Sequence, residues 1–185
     1  MSWIENVGTS NYNGLQVGLT RRYQPGVQFG VAYTWSKALG VGSSDGETLS
    51  RFLSRKVWNY GLAYYDQTHM FIVNYLWDLP KASRVAPSAV VRWAFDNWQL
   101  SGITNVSSGL PQSVNFTTVD NADITGGGDG VRPVVVAPIP LSRSERGFSR
   151  WFNTAAFARP AQGTFGNAAI RVYRGPGISN WDMNL

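Results

Sequence analysis

From Val27 to Ser36 the chain alternates without a break. In an extended segment side chains repeat every two residues, so Val27, Phe29, Val31, Tyr33 and Trp35 share one face while Gln28, Gly30, Ala32, Thr34 and Ser36 share the other. Large apolar and aromatic groups occupy the first face, small and polar ones the second. Two environments accept such a strand. A soluble sandwich turns its large side to a core, and a transmembrane barrel turns it to lipid, with the small side in a wet lumen. Periodicity alone leaves these two readings level.

Four further segments read as strands. The first runs from about Asn11 to Arg22, with Leu15, Val17 and Leu19 in phase, and Tyr23-Gln-Pro-Gly26 then forms a tight turn. Proline presets φ there and glycine accepts a positive φ. A third strand is expected from about Thr68 to Leu79: its odd positions, Phe71 to Leu79, are all apolar, and its even positions mix Asn74 and Asp78 with Met70, Ile72 and Leu76. A fourth spans about Asn97 to Ser108, with Trp98, Leu100, Gly102, Thr104 and Val106 in phase. A fifth begins near Ile178, with Trp181, Met183 and Leu185 in phase.

The connections between these strands alternate in length: the tight turn, a long polar loop over 38–67, a medium segment over 80–96 and a very long one over 109–177. Short turns at one end and long loops at the other characterise an outer-membrane barrel. In a compact soluble domain a connection as long as the last argues against the strand assignment itself. The fold expected is therefore all-β, an antiparallel up-and-down meander forming part of a transmembrane β-barrel with long external loops, and residues 1–185 form a single partial domain. Pro25-Gly26 marks the periplasmic end. Tyr33 and Trp35 then fall in the outer aromatic belt, and Tyr75 and Trp77 in the lower one.

Composition narrows the picture further. No apolar run approaches the ~18 residues of a membrane helix. Lys and Arg number 16 against 11 acidic residues, and they are scattered, from Arg21-Arg22 to Arg171 and Arg174, without a nucleic-acid-binding signature. Anionic lipopolysaccharide suits these charges, and so do solvated loops. The absence of cysteine excludes disulfides and thiolate metal sites. The N-terminal Met-Ser-Trp-Ile-Glu is not a signal peptide, so an export signal is expected upstream.

The candidate chemistry is sparse. The sole histidine, His69, has no partners for a metal site or triad, although Asp66, three residues earlier, is placed to cap or hydrogen-bond near it. No G-x-S-x-G elbow is present. The stretch Asp120-Asn-Ala-Asp-Ile-Thr-Gly-Gly-Gly-Asp-Gly130 offers carboxylates and glycine-freed carbonyls of the kind Ca²⁺ takes. Its spacing is not that of an EF-hand, nor does it open a helix as a phosphate-binding loop does, so it reads as a flexible external loop. Asp45, Glu47 and Asp66 form no recognisable acid–base pair. Arg51, Arg55, Trp58 and Tyr60 cluster in the first long loop, where cations and aromatics suit sugars, siderophores or anionic polymers; a solvated loop whose aromatics pack on the barrel rim explains them slightly better. No enzymatic activity and no cofactor are expected.

Several segments together resemble the barrel of TonB-dependent outer-membrane receptors, in particular the Oar-like group with an N-terminal carboxypeptidase-regulatory-like domain. They are Asn11-Tyr-Asn-Gly-Leu-Gln-Val17, Tyr33-Thr-Trp-Ser-Lys37, Asp66-x-x-His69-x-Phe71 running into Asn74-Tyr75 and Leu79-Pro80, Trp98-Gln-Leu-Ser-Gly-Ile103, Ser108-Gly-Leu-Pro111, Trp151-Phe-Asn153 with Ala156-Phe157 and Pro160, Gly163-Thr-Phe-Gly-Asn167, and Arg174-Gly-Pro-Gly-x-x-Asn-Trp-Asp182. Gln67, Thr68 and Met70 stand where the family is usually richer in arginine. The resemblance implies a late part of the barrel, incomplete at both ends. It also implies a bacterial outer-membrane location, lipid and lipopolysaccharide as surroundings, import of a scarce ligand, and contact with the TonB complex only through N-terminal regions this chain lacks. Five strands cannot close a barrel, so the segment alone is expected not to insert stably. The alternatives are a soluble or secreted β-sandwich that binds carbohydrate, and a structural or adhesive surface protein.

Overall fold

A computed structural model describes residues 8–24, 26–42, 53–114, 132–161 and 163–185. In chain order the strands are β1 (Thr9–Gln24), β2 (Val27–Val41), β3 (Gly61–Leu62), β4 (His69–Asp78), β5 (Gln99–Ser107), β6 (Pro111–Gln112), β7 (Val134–Val135), β8 (Phe157–Ala158), β9 (Tyr173–Arg174) and β10 (Ile178–Asn184). Two short helices, α1 (Arg55–Trp58) and α2 (Ala89–Phe95), lie in the connections. The long strands pair in the order β1-β2-β4-β5-β10, with β3 on the end of β2. All five expected strands are present as a meander of near neighbours, and the pairings whose register is defined are antiparallel. The sheet is not closed into a barrel.

The chain divides into two compact units. One comprises residues 14–35, 68–108 and 177–185, and the other residues 1–13, 36–67 and 109–176. The first is the strand wall. Its register sets Val27 opposite Trp77, Phe29 opposite Tyr75, Val31 opposite Val73 and Tyr33 opposite Phe71. Phe71 faces Val106, Trp77 faces Leu100, and Thr104 faces Trp181. Directly paired residues share a face, so one face is mainly apolar and aromatic, interrupted by Gly102, Thr104 and Ser179. The other carries Gln28, Thr34, Asn74, Asn105, Asn180 and Asp182, interrupted by Met70, Ile72, Leu76 and Ile103.

On the apolar face the large groups are not sequestered: Phe71 is 39 % exposed, Trp77 42 % and Trp181 61 %. The buried apolar residues among those described, namely Ala38, Val41, Ala63, Leu141, Ala156 and Ala168, all belong to the other unit. A sandwich strand would bury these aromatics against a second layer, whereas a lipid-facing wall displays them. β4 has 10 residues and β5 has 9, matching the ~9–11 that a tilted strand needs to cross hydrocarbon. Tyr75 lies over Gly102, its cross-strand partner, where an added Cβ would sit 2.7 Å from the Tyr75 hydroxyl. Glycine there leaves room for the ring.

Two boundaries differ from the sequence reading. β1 continues through Tyr23 to Gln24, so the hairpin is tighter than the expected four-residue turn, with Gly26 at φ 103°. β2 runs on to Val41, because Leu39 and Gly40 gain Leu62 and Gly61 as partners.

Candidate functional site

In the long connections, backbone turns are joined by a recurring hydrogen bond from arginine to a backbone carbonyl. Asp66 lies at the end of the first connection and is 2 % exposed. Its carboxylate accepts the Ala38 N–H at 2.5 Å through Oδ1. Through Oδ2 it accepts a charge-assisted bond from Arg174 Nη2. Nη1 of the same guanidinium donates to the carbonyls of Asp66 at 3.1 Å and Gly109 at 3.3 Å. One arginine thereby ties the ends of both long connections. The approach is close: a Cβ on Gly109 would fall 1.9 Å from the Gly175 carbonyl oxygen. The Gly175 N–H bonds the Leu110 carbonyl, and β6 pairs with β9 alongside.

Asp66 therefore does not cap His69, as its spacing suggested. Its side chain turns to Ala38 and Arg174 instead, because a buried carboxylate needs a cation and His69 already has another partner. Tyr33 Oη lies 2.8 Å from His69 Nδ1, with the rings stacked at 6.2 Å. The His69 N–H donates to Ser108 Oγ, and the Ser108 N–H donates back to the His69 carbonyl.

The four residues of the proposed ligand cluster meet different ends. Arg51 lies outside the described residues, and Arg55 is placed by its backbone in α1. Trp58 is half-buried: the Arg132 guanidinium lies 4.2 Å above its ring, Phe165 packs edge-on at 5.8 Å, and its carbonyl accepts from Arg132 Nη1 at 2.5 Å. The ring is thus packed between a guanidinium and a phenyl ring. Tyr60 stays exposed at 43 %. Sequence reading overlooked Tyr64 and Tyr65, each 52 % exposed and edge-to-face at 5.1 Å. Both sit in the turn that follows β3, where no strand period marks which side chains face solvent.

Two further arginines of this unit, Arg171 and Arg146, follow the same pattern. Arg171 Nη1 donates to the Leu62 carbonyl at 2.8 Å, and Arg146 Nε to the Leu141 carbonyl at 3.0 Å. Glu145 is held below the ordinary carboxylate range by the hydroxyl and N–H of Ser142, with Arg150 adding to the effect. Among the described residues no group of three or more His, Asp or Glu side chains is placed to hold a metal. The Asp120–Gly130 stretch, Asp45 and Glu47 lie outside the described residues.

An exposed aromatic wall and short connections alternating with long ones fit one class of protein, a membrane β-barrel segment. Comparison with known families agrees: the family described as "Outer membrane beta barrel domain" matches residues 1–185. The chain belongs to that family, which places it in the bacterial outer membrane and sets aside the soluble sandwich. Neither curated proteins nor solved structures gave a match.

Proposed function

We propose that the chain forms part of the wall and external loops of a TonB-dependent receptor of the Oar-like group, importing a scarce ligand without chemistry or cofactor of its own. The supporting observation is the convergence of three resemblance motifs on one clip. Asp66 of Asp66-x-x-His69 binds Arg174 of Arg174-Gly-Pro-Gly, 108 residues away in sequence. Arg174 also reaches Gly109 of Ser108-Gly-Leu-Pro111, 65 residues away. Residue types that look arbitrary one by one become necessary together: an acid, a guanidinium and a glycine backbone that lets the strands close. In this reading lipid and lipopolysaccharide surround the wall, and Tyr60, Tyr64 and Tyr65 present the ligand-facing surface of the first long loop. Coupling to TonB resides in N-terminal regions of the complete receptor.

Binding of the purified full-length protein to an isolated TonB C-terminal domain tests the assignment. Saturable binding is expected, abolished by deleting the receptor's N-terminal residues. A full-length protein that binds no TonB domain in any ligand state would overturn it in favour of a structural or adhesive barrel.

A further inference from the structure

The connection between β4 and β5 has a composition that a periplasmic turn does not need. Of its described side chains, Val85 is 90 % exposed, Val90 70 %, Trp93 89 % and Phe95 60 %. Val90 and Trp93 are three residues apart on α2 and share a face, while Val91 and Ala94 are half-buried on another. A water-facing turn gains nothing from displaying a tryptophan and two valines, and apolar patches of this kind mark contact surfaces.

Three features indicate what covers them. The Trp98 indole N–H donates to the Ala94 carbonyl at 2.8 Å, fastening the last turn of α2 to the first aromatic of the next strand. The Leu79 N–H bonds the Trp98 carbonyl, extending the ladder by one step beyond the Asp78–Gln99 pair. Trp98 therefore belongs to the apolar face beside Trp77, and the last turn of α2 is fastened directly to that face. Lys81, Arg84 and Arg92, all exposed, are interspersed with these apolar groups along the connection. The single acid of the connection, Asp96, is engaged by Ser83, whose N–H and hydroxyl it accepts at 3.0 and 2.5 Å. That clip joins the two halves of the connection. Cations around an apolar face headed by tryptophan are what an in-plane membrane anchor carries.

We propose that the segment 81–97 is an interfacial anchor, lying in the phospholipid headgroup layer at the hairpin end of the barrel, with Val90 and Trp93 inserted and Lys81, Arg84 and Arg92 at the phosphates. It rests on barrel membership and not on transport, so failure to bind TonB leaves it intact.

These 185 residues contain no cysteine, and any cysteine elsewhere in the full-length protein is first replaced by serine so that single sites can be spin-labelled. The full-length protein with Val90→Cys or Ser88→Cys is labelled and reconstituted in phosphatidylcholine–phosphatidylglycerol vesicles. Collision rates with oxygen, which partitions into lipid, are compared with those for a nickel chelate, which stays in water. The oxygen-to-nickel ratio at position 90 should exceed that at 88 by about tenfold, as for a side chain below the headgroups. Adding Trp93→Ser should bring the two positions together. Equal nickel access at 88 and 90 in the parent would place the segment in water. Shielding of position 90 from both probes would mean that protein covers it. Either result overturns the proposal, and the high exposure of Val90 keeps the label from disturbing the fold.

Discussion

Removing the arginine of the loop clip should cost far more than its hydrogen bonds alone suggest. Arg174→Met leaves the Asp66 carboxylate in a site where its side chain is 0 % exposed, with the Ala38 N–H as its remaining partner. Breaking a buried ion pair from one side costs ~3–5 kcal/mol, because the surviving charge is stranded. The retained Ala38 bond and the 28 % exposure of Arg174 place this case near the lower end, about 3 kcal/mol. At 1.4 kcal/mol per decade, that raises local-opening exchange of the Ala38 and Ala63 amides by about two powers of ten. Asp66→Asn keeps an acceptor for Ala38 and loses only the charge on the bond from Arg174, so about 1.5 kcal/mol is expected. The double variant should be more stable than Arg174→Met alone, since the carboxamide carries no charge to strand. Amide hydrogen exchange on the reconstituted protein measures all four members of the cycle. If the double variant loses the sum of the two single losses, or if Arg174→Met leaves Ala38 exchange unchanged, the clip is not a buried charge pair and the reasoning fails.

Three further outcomes follow from the same geometry. Asp96 is held below its ordinary pKa by the hydroxyl and N–H of Ser83, assisted by Lys81 and Arg92. Its contribution is therefore complete above the unfolded pKa of about 3.9 and is lost as pH falls through the lowered folded value; the protection factor of the Ser83 amide should be flat from neutral pH to about 5 and drop below about 4, whereas Asp96→Asn should be less protected and flat over the same range. Gly109→Ala should disrupt the β6–β9 region, because its Cβ would meet backbone at 1.9 Å, while Gly147→Ala, with nothing within 4 Å, should be neutral in the same denaturation assay. Trp58→Ala should destabilise the loops by about 2 kcal/mol through loss of the Arg132 and Phe165 contacts; Tyr60→Ala should leave stability unchanged by the same measurement.

The wall was legible in the sequence because its information is local. Val27 to Trp35 alternates so strictly that any register error of one residue would reverse its faces, and β4 and β5 kept the expected phase despite the mixed even positions of β4. The loops were not legible, because their order depends on partners far apart. β7 pairs with β8 through Val134–Ala158 and Val135–Phe157, contacts between segments too short to carry a period. Asp66 illustrates the limit: its nearest histidine in sequence suggested one partner, and the fold supplied another far along the chain. The helix α2 escaped notice for a different reason. Seven residues are too few to show a helical period, and its Ser88 N-cap makes no side-chain bond. Of the loop residues expected to contact ligand, Trp58 is half-buried and Tyr60 exposed, a difference that aromatic character alone does not show: one ring is held beneath Arg132, the other is offered to solvent.

Which face of the strand wall meets lipid is tested most directly by cysteine substitution along β4, one position at a time from Phe71 to Leu76, in the full-length protein in native outer membranes. The residues paired into the aromatic face, Phe71, Val73 and Tyr75, should resist a charged, water-soluble methanethiosulfonate, and Ile72, Asn74 and Leu76 should react through the wet lumen. Reaction in the opposite phase, or without alternation, would contradict a lipid-facing aromatic wall.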